Sequence, residues 1–245
     1  MDKLKPRAII FDLGSTLIEY EAVPWDDLSA RCVEAGWQFL TASGVKVPAQ
    51  PDFDAVFNEI KAQYRRAAVE SLIEWTVPQL LSELFGRLGV SDGPGLVDGF
   101  FNAYYERVDR ELFVYDDTVA TLERLKSSYP TMGLVSNTIF PERVHLEELR
   151  RFGIAPYLNF TVFSSTFQLR KPHPDIFYHA ANCAGVAPSE CLFVGDRYIE
   201  DISGPAAVGM QAILKIRPDR EYPADMPLSL RKIETLANLL EHVEV

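Results

Sequence analysis

Positive charge is in short supply in this 245-residue chain: 24 Lys and Arg stand against 35 Asp and Glu, a formal net charge of −11. An acidic balance of that size disfavours non-specific binding to nucleic acid or an anionic membrane, so neither is an expected partner. An anionic substrate must then be attracted by a local arrangement of charge. Cysteine is scarce too. Cys32, Cys183 and Cys191 are odd in number and have neither CxxC nor metal-ligand spacing, which argues against a disulfide framework and fits a reducing cytoplasm. Core packing is the expected role of all three. Long apolar runs are missing as well: none approaches the roughly 20 residues of a membrane span. The run after the basic start MDKLKPR ends at Asp12, short of the about 7–15 apolar residues of a secretory leader. There is no internal repeat or low-complexity tract. Apolar residues are nonetheless plentiful at 47%, enough for one large domain or a domain carrying an insert.

Five short apolar runs organise the chain: AIIFD (8–12), MGLVSN (132–137), FTVFSS (160–165), CLFVGD (191–196) and QAILKI (211–216). Runs without alternation suit strands covered on both faces. Helical patterns at 118–128, 141–152, 174–184 and 200–208 lie between the later runs. That alternation predicts an α/β fold with a parallel sheet. Ligands of such sheets bind beyond the carboxyl ends of the strands, where Asp12, Ser136, Ser164 and Asp196 fall. Residues 25–109 are different, with helical periodicity at 25–42, 53–71, 76–88 and 95–110 separated by SGVKVPAQPD, a short EW step and GVSDGPG. The expected organisation is a core domain of 1–20 and 112–245 with a four-helix insert at 21–111, its two linkers near Tyr20 and Val114 able to act as a hinge. Residues 218–228 read as a loop and 233–243 as a last helix.

Four stretches then fall in one order on strand ends or adjoining loops: AIIFDLGSTL, GLVSN, LRKPHPDIF and VGDRYIED. Through them essentially the whole chain resembles the haloacid dehalogenase-like hydrolase superfamily, in the subgroup with a helical cap inserted after the first strand. The resemblance implies a Rossmann-like sheet core with an inserted cap domain. It also implies a metal held by Asp12, Asp196 and a backbone carbonyl two residues after the nucleophile, here that of Gly14.

The chemistry of the residues is compatible with this. Asp12 is a carboxylate able to attack a phosphoryl group in line and form an acyl phosphate. Ser136, the backbone of Asn137 and Thr138, and Lys171 suit the equatorial oxygens of the transferring group. Asp12 and Asp196, with Glu200 and Asp201 close behind, would repel each other and the substrate unless a hard cation intervened, and Mg²⁺ fits carboxylate, water and phosphate oxygens. Asp201, with Glu200, is expected to orient metal waters and Lys171, while Ser15 and Thr16 shape the loop. Each residue also has an ordinary reading: a turn aspartate for Asp12 or Asp196, a solvated turn lysine for Lys171, favourable charge on a helix start for Glu200 and Asp201. His145 and His173 show no partner pattern and read as surface or core residues. Trp25, Trp37 and Trp75 read as core of the insert, with Trp75 alternatively facing a cleft.

Gly14 departs from the family's phosphatases, which usually carry a second Asp there to protonate the leaving oxygen. General acid–base assistance is typically worth about 10²–10⁴-fold, so poor leaving groups should be cleaved slowly unless Ser15, a substrate hydroxyl, water or an insert residue serves as the acid. The expectation is a Mg²⁺-dependent, cytoplasmic phosphatase of a small phosphorylated metabolite. One alternative is a phosphate- or partner-binding relative without turnover. Carbon–halogen cleavage needs no metal and leaves VGDRYIED unexplained. Phosphonate cleavage in the family uses a cap lysine, and Lys46 and Lys61 both read as solvated. Substrate identity and oligomeric state stay open.

Overall fold

The computed structural model describes residues 2–90 and 95–245. Its contacts divide the chain into two units: one runs to Glu19 and resumes with Phe113–Val245, and the other is Tyr20–Leu112.

The first unit is built on strands β1 (Ala8–Phe11), β2 (Ile18–Glu19), β3 (Phe113–Val114), β4 (Thr131–Ser136), β5 (Phe160–Phe163), β6 (Cys191–Gly195), β7 (Gln211–Lys215) and β8 (Arg231–Ile233). Six of them form a parallel sheet in the order β5-β4-β1-β6-β7-β8. Side chains alternate across a strand, yet Ala8, Ile9, Ile10 and Phe11 are all fully buried, so both faces of β1 are covered. One face carries Ala8, Ile10, Val135 and Phe193, packed by Ile176, Phe177, Ala180 and Ala181. β1 is flanked by β4 on one side and β6 on the other, and the strand order reverses there, the point where open α/β sheets bind ligands. Asp12 is the first residue past β1 at that point.

β2 and β3 form a separate antiparallel pair, Ile18 opposite Val114 and Glu19 opposite Phe113. They are two residues each, too short to show in the pattern. β8 (RKI) was also not anticipated: it is a three-residue edge strand with two basic residues, a common form for an edge. It takes Ile233 out of the expected last helix, which is reduced to a single turn at Leu236–Asn238 and four residues at Leu239–His242.

The second unit contains α1 (Trp25–Ala42), α2 (Gln50–Ser71), α3 (Val77–Leu88) and α4 (Leu96–Asp109). Thr76 and Gln79 form a capping box at the start of α3, and Gly89 closes its end in the left-handed conformation. α1 and α4 approach closely because Gly36 leaves room for the Phe100 ring, which a Cβ would meet at 2.3 Å. The GVSDGPG linker between α3 and α4 lies partly outside the described residues, at 91–94. Trp75 is buried and stacked on Tyr64 at 5.6 Å, a core position in this unit. Two expectations are corrected. Cys183 is exposed, whereas Cys32 and Cys191 are buried. The Lys61 ammonium is partly desolvated: the residue is half-buried, Nζ donates to Ser29 Oγ at 2.9 Å, and burial holds its pKa below the ordinary lysine value.

In the first unit α5 (Thr118–Ser128), α6 (Glu142–Arg151), α7 (Ser164–Phe167), α8 (Pro174–Ala184) and α9 (Gly204–Ala207) connect the strands, and α10 (Leu239–His242) follows the last of them. The helix anticipated at 200–208 is a π-helical turn, Tyr198–Ser203, followed by α9. π-turns of this kind are frequent at functional sites.

Candidate active site

Strand ends place the site. Asp12 is buried, and its amide donates to Val194 O on β6 at 2.9 Å. Asp196 follows β6, and Ser136 ends β4 with 5% exposure. Lys171 arrives from the loop before α8 and is 2% exposed. Its Nζ donates to Asp12 Oδ1 at 2.6 Å, Asp201 Oδ1 at 2.7 Å and Val135 O at 3.0 Å. An ammonium has three donors, so Lys171 is fully engaged and a phosphoryl oxygen must share or replace one of these partners.

Asp201 lies on the π-turn with no solvent exposure. While Oδ1 meets Lys171, Oδ2 accepts the backbone N–H groups of Asp196 at 3.1 Å and Arg197 at 2.9 Å. Both oxygens are thus committed to orienting neighbours. Gly195 makes this possible: a Cβ there would meet Asp201 Cγ at 2.4 Å. A glycine before Asp196 is therefore required by the carboxylate five residues beyond it. Glu200 is half-buried and is not among the carboxylates gathered here.

Asp12, Asp196 and Asp201 offer oxygens within 4.8 Å of one another. Asp196 Oδ1 is buried and has no hydrogen-bond partner, while Oδ2 receives Arg220 Nη1. An orphaned buried carboxylate oxygen is costly unless something satisfies it, and with two more carboxylates beside it the donor set fits a hard divalent cation. Burial pushes the Asp12 carboxyl up to about 6; the Lys171 ammonium opposes that and the Asp201 charge adds to it. Burial works against the charged Lys171, but Asp12 and Asp201 hold its pKa above the ordinary lysine value.

The loops beside the site are tied in ways the pattern did not show. Asn137 accepts Lys171 N–H on Oδ1 at 2.7 Å and donates from Nδ2 to Lys171 O at 2.9 Å, pinning the lysine's backbone. The Thr138 amide, anticipated on a phosphoryl oxygen, instead donates to Ser164 Oγ at 2.8 Å. His145 has partners after all, with Nε2 2.6 Å from Thr138 Oγ1 and Nδ1 2.8 Å from Glu148 Oε2, all buried. The His145/Glu148 spacing on α6 was the available signal, since residues three apart share a helix face. Thr16 Oγ1 donates to Asp12 Oδ2 at 3.3 Å. Ser15 is buried, and its Oγ receives Arg217 Nη1 at 2.5 Å, so this hydroxyl is already engaged. Gly14 is half-buried and bridges to Ile18. Of the basic residues after β7, Arg220 falls in the stretch expected as loop and Arg217 carries no expectation. Their signal was the fifth apolar run, QAILKI, which also ends at the carboxyl edge and is followed by arginines in an acidic chain.

Among the described residues no helix is long and apolar enough to cross a membrane. Residues 6–209 match the family described as haloacid dehalogenase-like hydrolase. A haloacid dehalogenase-like hydrolase domain-containing protein 3 from Danio rerio is 27% identical over 241 residues, 96% of this chain and 97% of the relative. A glyceraldehyde 3-phosphate phosphatase from Methanopyrus kandleri is 32% identical over 136 residues, 56% of this chain and 58% of its own length. A phosphoglycolate phosphatase from Xanthomonas campestris is 25% identical over 208 residues, covering 85% of this chain and 82% of the relative. Among solved structures, a HAD phosphatase from Thermococcus onnurineus superposes with a TM-score of 0.65 at 25% identity over 97% of this chain and 99% of that one. A 2-haloacid dehalogenase from Pseudomonas syringae reaches 0.73 at 22% identity, with 96% of each chain covered, and shares the fold. With a match over most of its length and a relative aligned end to end, this chain belongs to the haloacid dehalogenase-like hydrolases.

Proposed function

We propose that the protein is a Mg²⁺-dependent phosphatase of small phosphorylated metabolites, acting through an aspartyl phosphate on Asp12. The observation that carries this reading is the buried group of Asp12, Asp196 and Asp201 around Lys171, with Asp196 Oδ1 unsatisfied. The phosphatase names of the Methanopyrus and Xanthomonas relatives point the same way. Asp12 and Asp196 with the Gly14 carbonyl would hold Mg²⁺, which when bound neutralises charge on the phosphoryl oxygens. An Asp12 carboxylate oxygen forms the new bond to phosphorus as the ester P–O bond breaks and the alcohol leaves with a proton taken from water. A second water later cleaves the acyl phosphate, releasing phosphate and restoring the Asp12 carboxylate. Lys171 keeps Asp12 ionised and adds positive charge beside the transferring group, with Ser136 and the Asn137 backbone as further donors. Asp201 holds Lys171 in place. The assignment of residues 21–111 as a cap domain belongs to the same proposal, as does a cytoplasmic location.

A second reading follows from Gly14, which offers no carboxylate for the leaving oxygen: a phosphate-binding relative that keeps the metal site without turnover. Incubation with Mg²⁺ and a panel of phosphate esters, including an activated aryl phosphate, separates the two. Turnover that Asp12→Asn abolishes supports the phosphatase. Absence of turnover on every ester in the panel sinks it.

A further inference from the structure

The turn after Asp12 is held by more charge than a turn requires. Ser15 has a φ of 60°, the left-handed region that non-glycine residues seldom occupy. Its amide, carbonyl and hydroxyl all have partners. Its amide donates to Ile18 O at 2.7 Å. Its carbonyl accepts Lys215 Nζ at 2.8 Å, with the Tyr115 hydroxyl 3.3 Å away, and its hydroxyl accepts Arg217 Nη1 at 2.5 Å. The cations come from the end of β7 and the residue two beyond it, and both are buried, Lys215 at 4% and Arg217 at 9% exposure. Lys215 Nζ also stands 3.6 Å from the centre of the Tyr115 ring. Arg217 Nη1 reaches both carboxylate oxygens of Glu19, at 2.8 and 2.7 Å, and Tyr115 Oη donates to the same carboxylate at 2.5 Å. Glu19 is the neighbour of Ile18 in β2, so the network holds both ends of the hydrogen bond from the Ser15 amide to Ile18 O.

The consequence concerns Gly14. Its carbonyl and the Ser15 N–H belong to one planar trans peptide and point in opposite directions. Whatever fixes the Ser15 amide on Ile18 therefore fixes the direction of the Gly14 carbonyl. Glycine has no side chain of its own to hold it. We infer that Lys215 and Arg217 are positioning residues for the Gly14 carbonyl, acting through Ser15 and Glu19. This rests on the reading of Gly14 as a metal ligand, and it assigns a role to two basic residues outside all four signature stretches.

The test pairs a metal-free readout with a metal readout in the full chain: NMR exchange of the Ser15 amide proton, and calorimetric titration with Mg²⁺ alone. Loss of groups that orient a ligand typically costs about 10–100-fold in metal affinity. Lys215→Met and Arg217→Met are expected to weaken Mg²⁺ binding by about tenfold or more and to speed Ser15 exchange. KM for an aryl phosphate at saturating Mg²⁺ should hardly change. Lys215→Arg keeps a donor and is expected to restore most of both effects. If either Met variant fails to fold by circular dichroism, Ser15→Ala removes the bond from Arg217 and Tyr115→Phe the bond to Glu19 in the same network, and both are scored the same way. Ser15 exchange and Mg²⁺ affinity both within about twofold of wild type in the folded variants would overturn the inference. Wild-type protein that binds no Mg²⁺ sinks the metal reading, and Ser15 exchange then decides the clamp by itself.

Discussion

Lys171 Nζ stands 2.6 Å from Asp12 Oδ1, and neither side chain is more than slightly exposed. The same ammonium serves Asp201, so one cation compensates two buried carboxylates. Removing one partner of a buried ion pair typically costs about 3–5 kcal/mol because the remaining charge is stranded. Lys171→Met is therefore expected to lower stability by about that amount in denaturant unfolding and to abolish turnover. A variant as stable as wild type would mean that the carboxylates share a proton instead.

Protonation of Asp12 sets a pH dependence. Its folded-state pKa is raised from 3.8 to about 6, first by burial. A raised pKa contributes stability that is complete below the unfolded value and is lost as pH rises through the folded one. Metal-free protein is therefore expected to lose stability between about pH 4 and pH 6, and Asp12→Asn to lack that pH-dependent loss. Melting curves in EDTA across that range decide it. Mg²⁺ needs the ionised carboxylate, so its affinity should fall as pH drops below about 6.

At Gly14 the missing carboxylate is directly testable. Gly14→Asp is expected to raise turnover of alkyl phosphates, by up to the roughly 10²–10⁴-fold that general acid–base assistance supplies, with a smaller gain on aryl phosphates. A fall in activity with unchanged Mg²⁺ affinity would show that the pocket needs the space instead.

Gly195→Ala isolates the role of Asp201. The new Cβ would sit within 2.4 Å of the Asp201 carboxyl carbon, which must move and release Lys171 and two backbone amides. Overpacking of this kind typically costs about 1–3 kcal/mol. Turnover is expected to fall further than stability, seen by comparing kcat with the unfolding midpoint.

Arg220 donates to Asp196 Oδ2, the partner oxygen of the orphaned Oδ1. A cation at that carboxylate opposes a second one by charge repulsion. Arg220→Ala is expected to tighten Mg²⁺ binding in calorimetry and to make it more sensitive to salt. Weaker binding would instead make Arg220 a support for the Asp196 side chain.

Much of the core was legible. The apolar runs at 8–12, 132–137, 160–165, 191–196 and 211–216 became five of the six strands of the parallel sheet because burial on both faces leaves a continuous apolar signature. Helices 25–42, 118–128 and 174–184 were placed at their observed ends, where Pro24 or Pro174 and changes of periodicity mark the boundary. β2, β3 and β8 were not legible: each has two or three residues and is defined by its partner. The solvated reading of Lys61 failed for a related reason. Helix periodicity places a side chain on a face, but only the packing of α1 and α2 brings Ser29 to its amine.

By itself the sequence determined the acidic balance, the α/β class and the four polar strand ends, because these follow from local composition and period. It also determined that Gly14 offers a carbonyl and no acid. Only the tertiary structure decided that Lys171 spends its three donors on Asp12, Asp201 and Val135, that Asp196 keeps one oxygen unsatisfied, and that Lys215 at the end of β7 and Arg217 beyond it grip Ser15 and Glu19. Such pairings join residues up to 202 positions apart. They depend on strand order and on desolvation at one sheet edge, which no local pattern records.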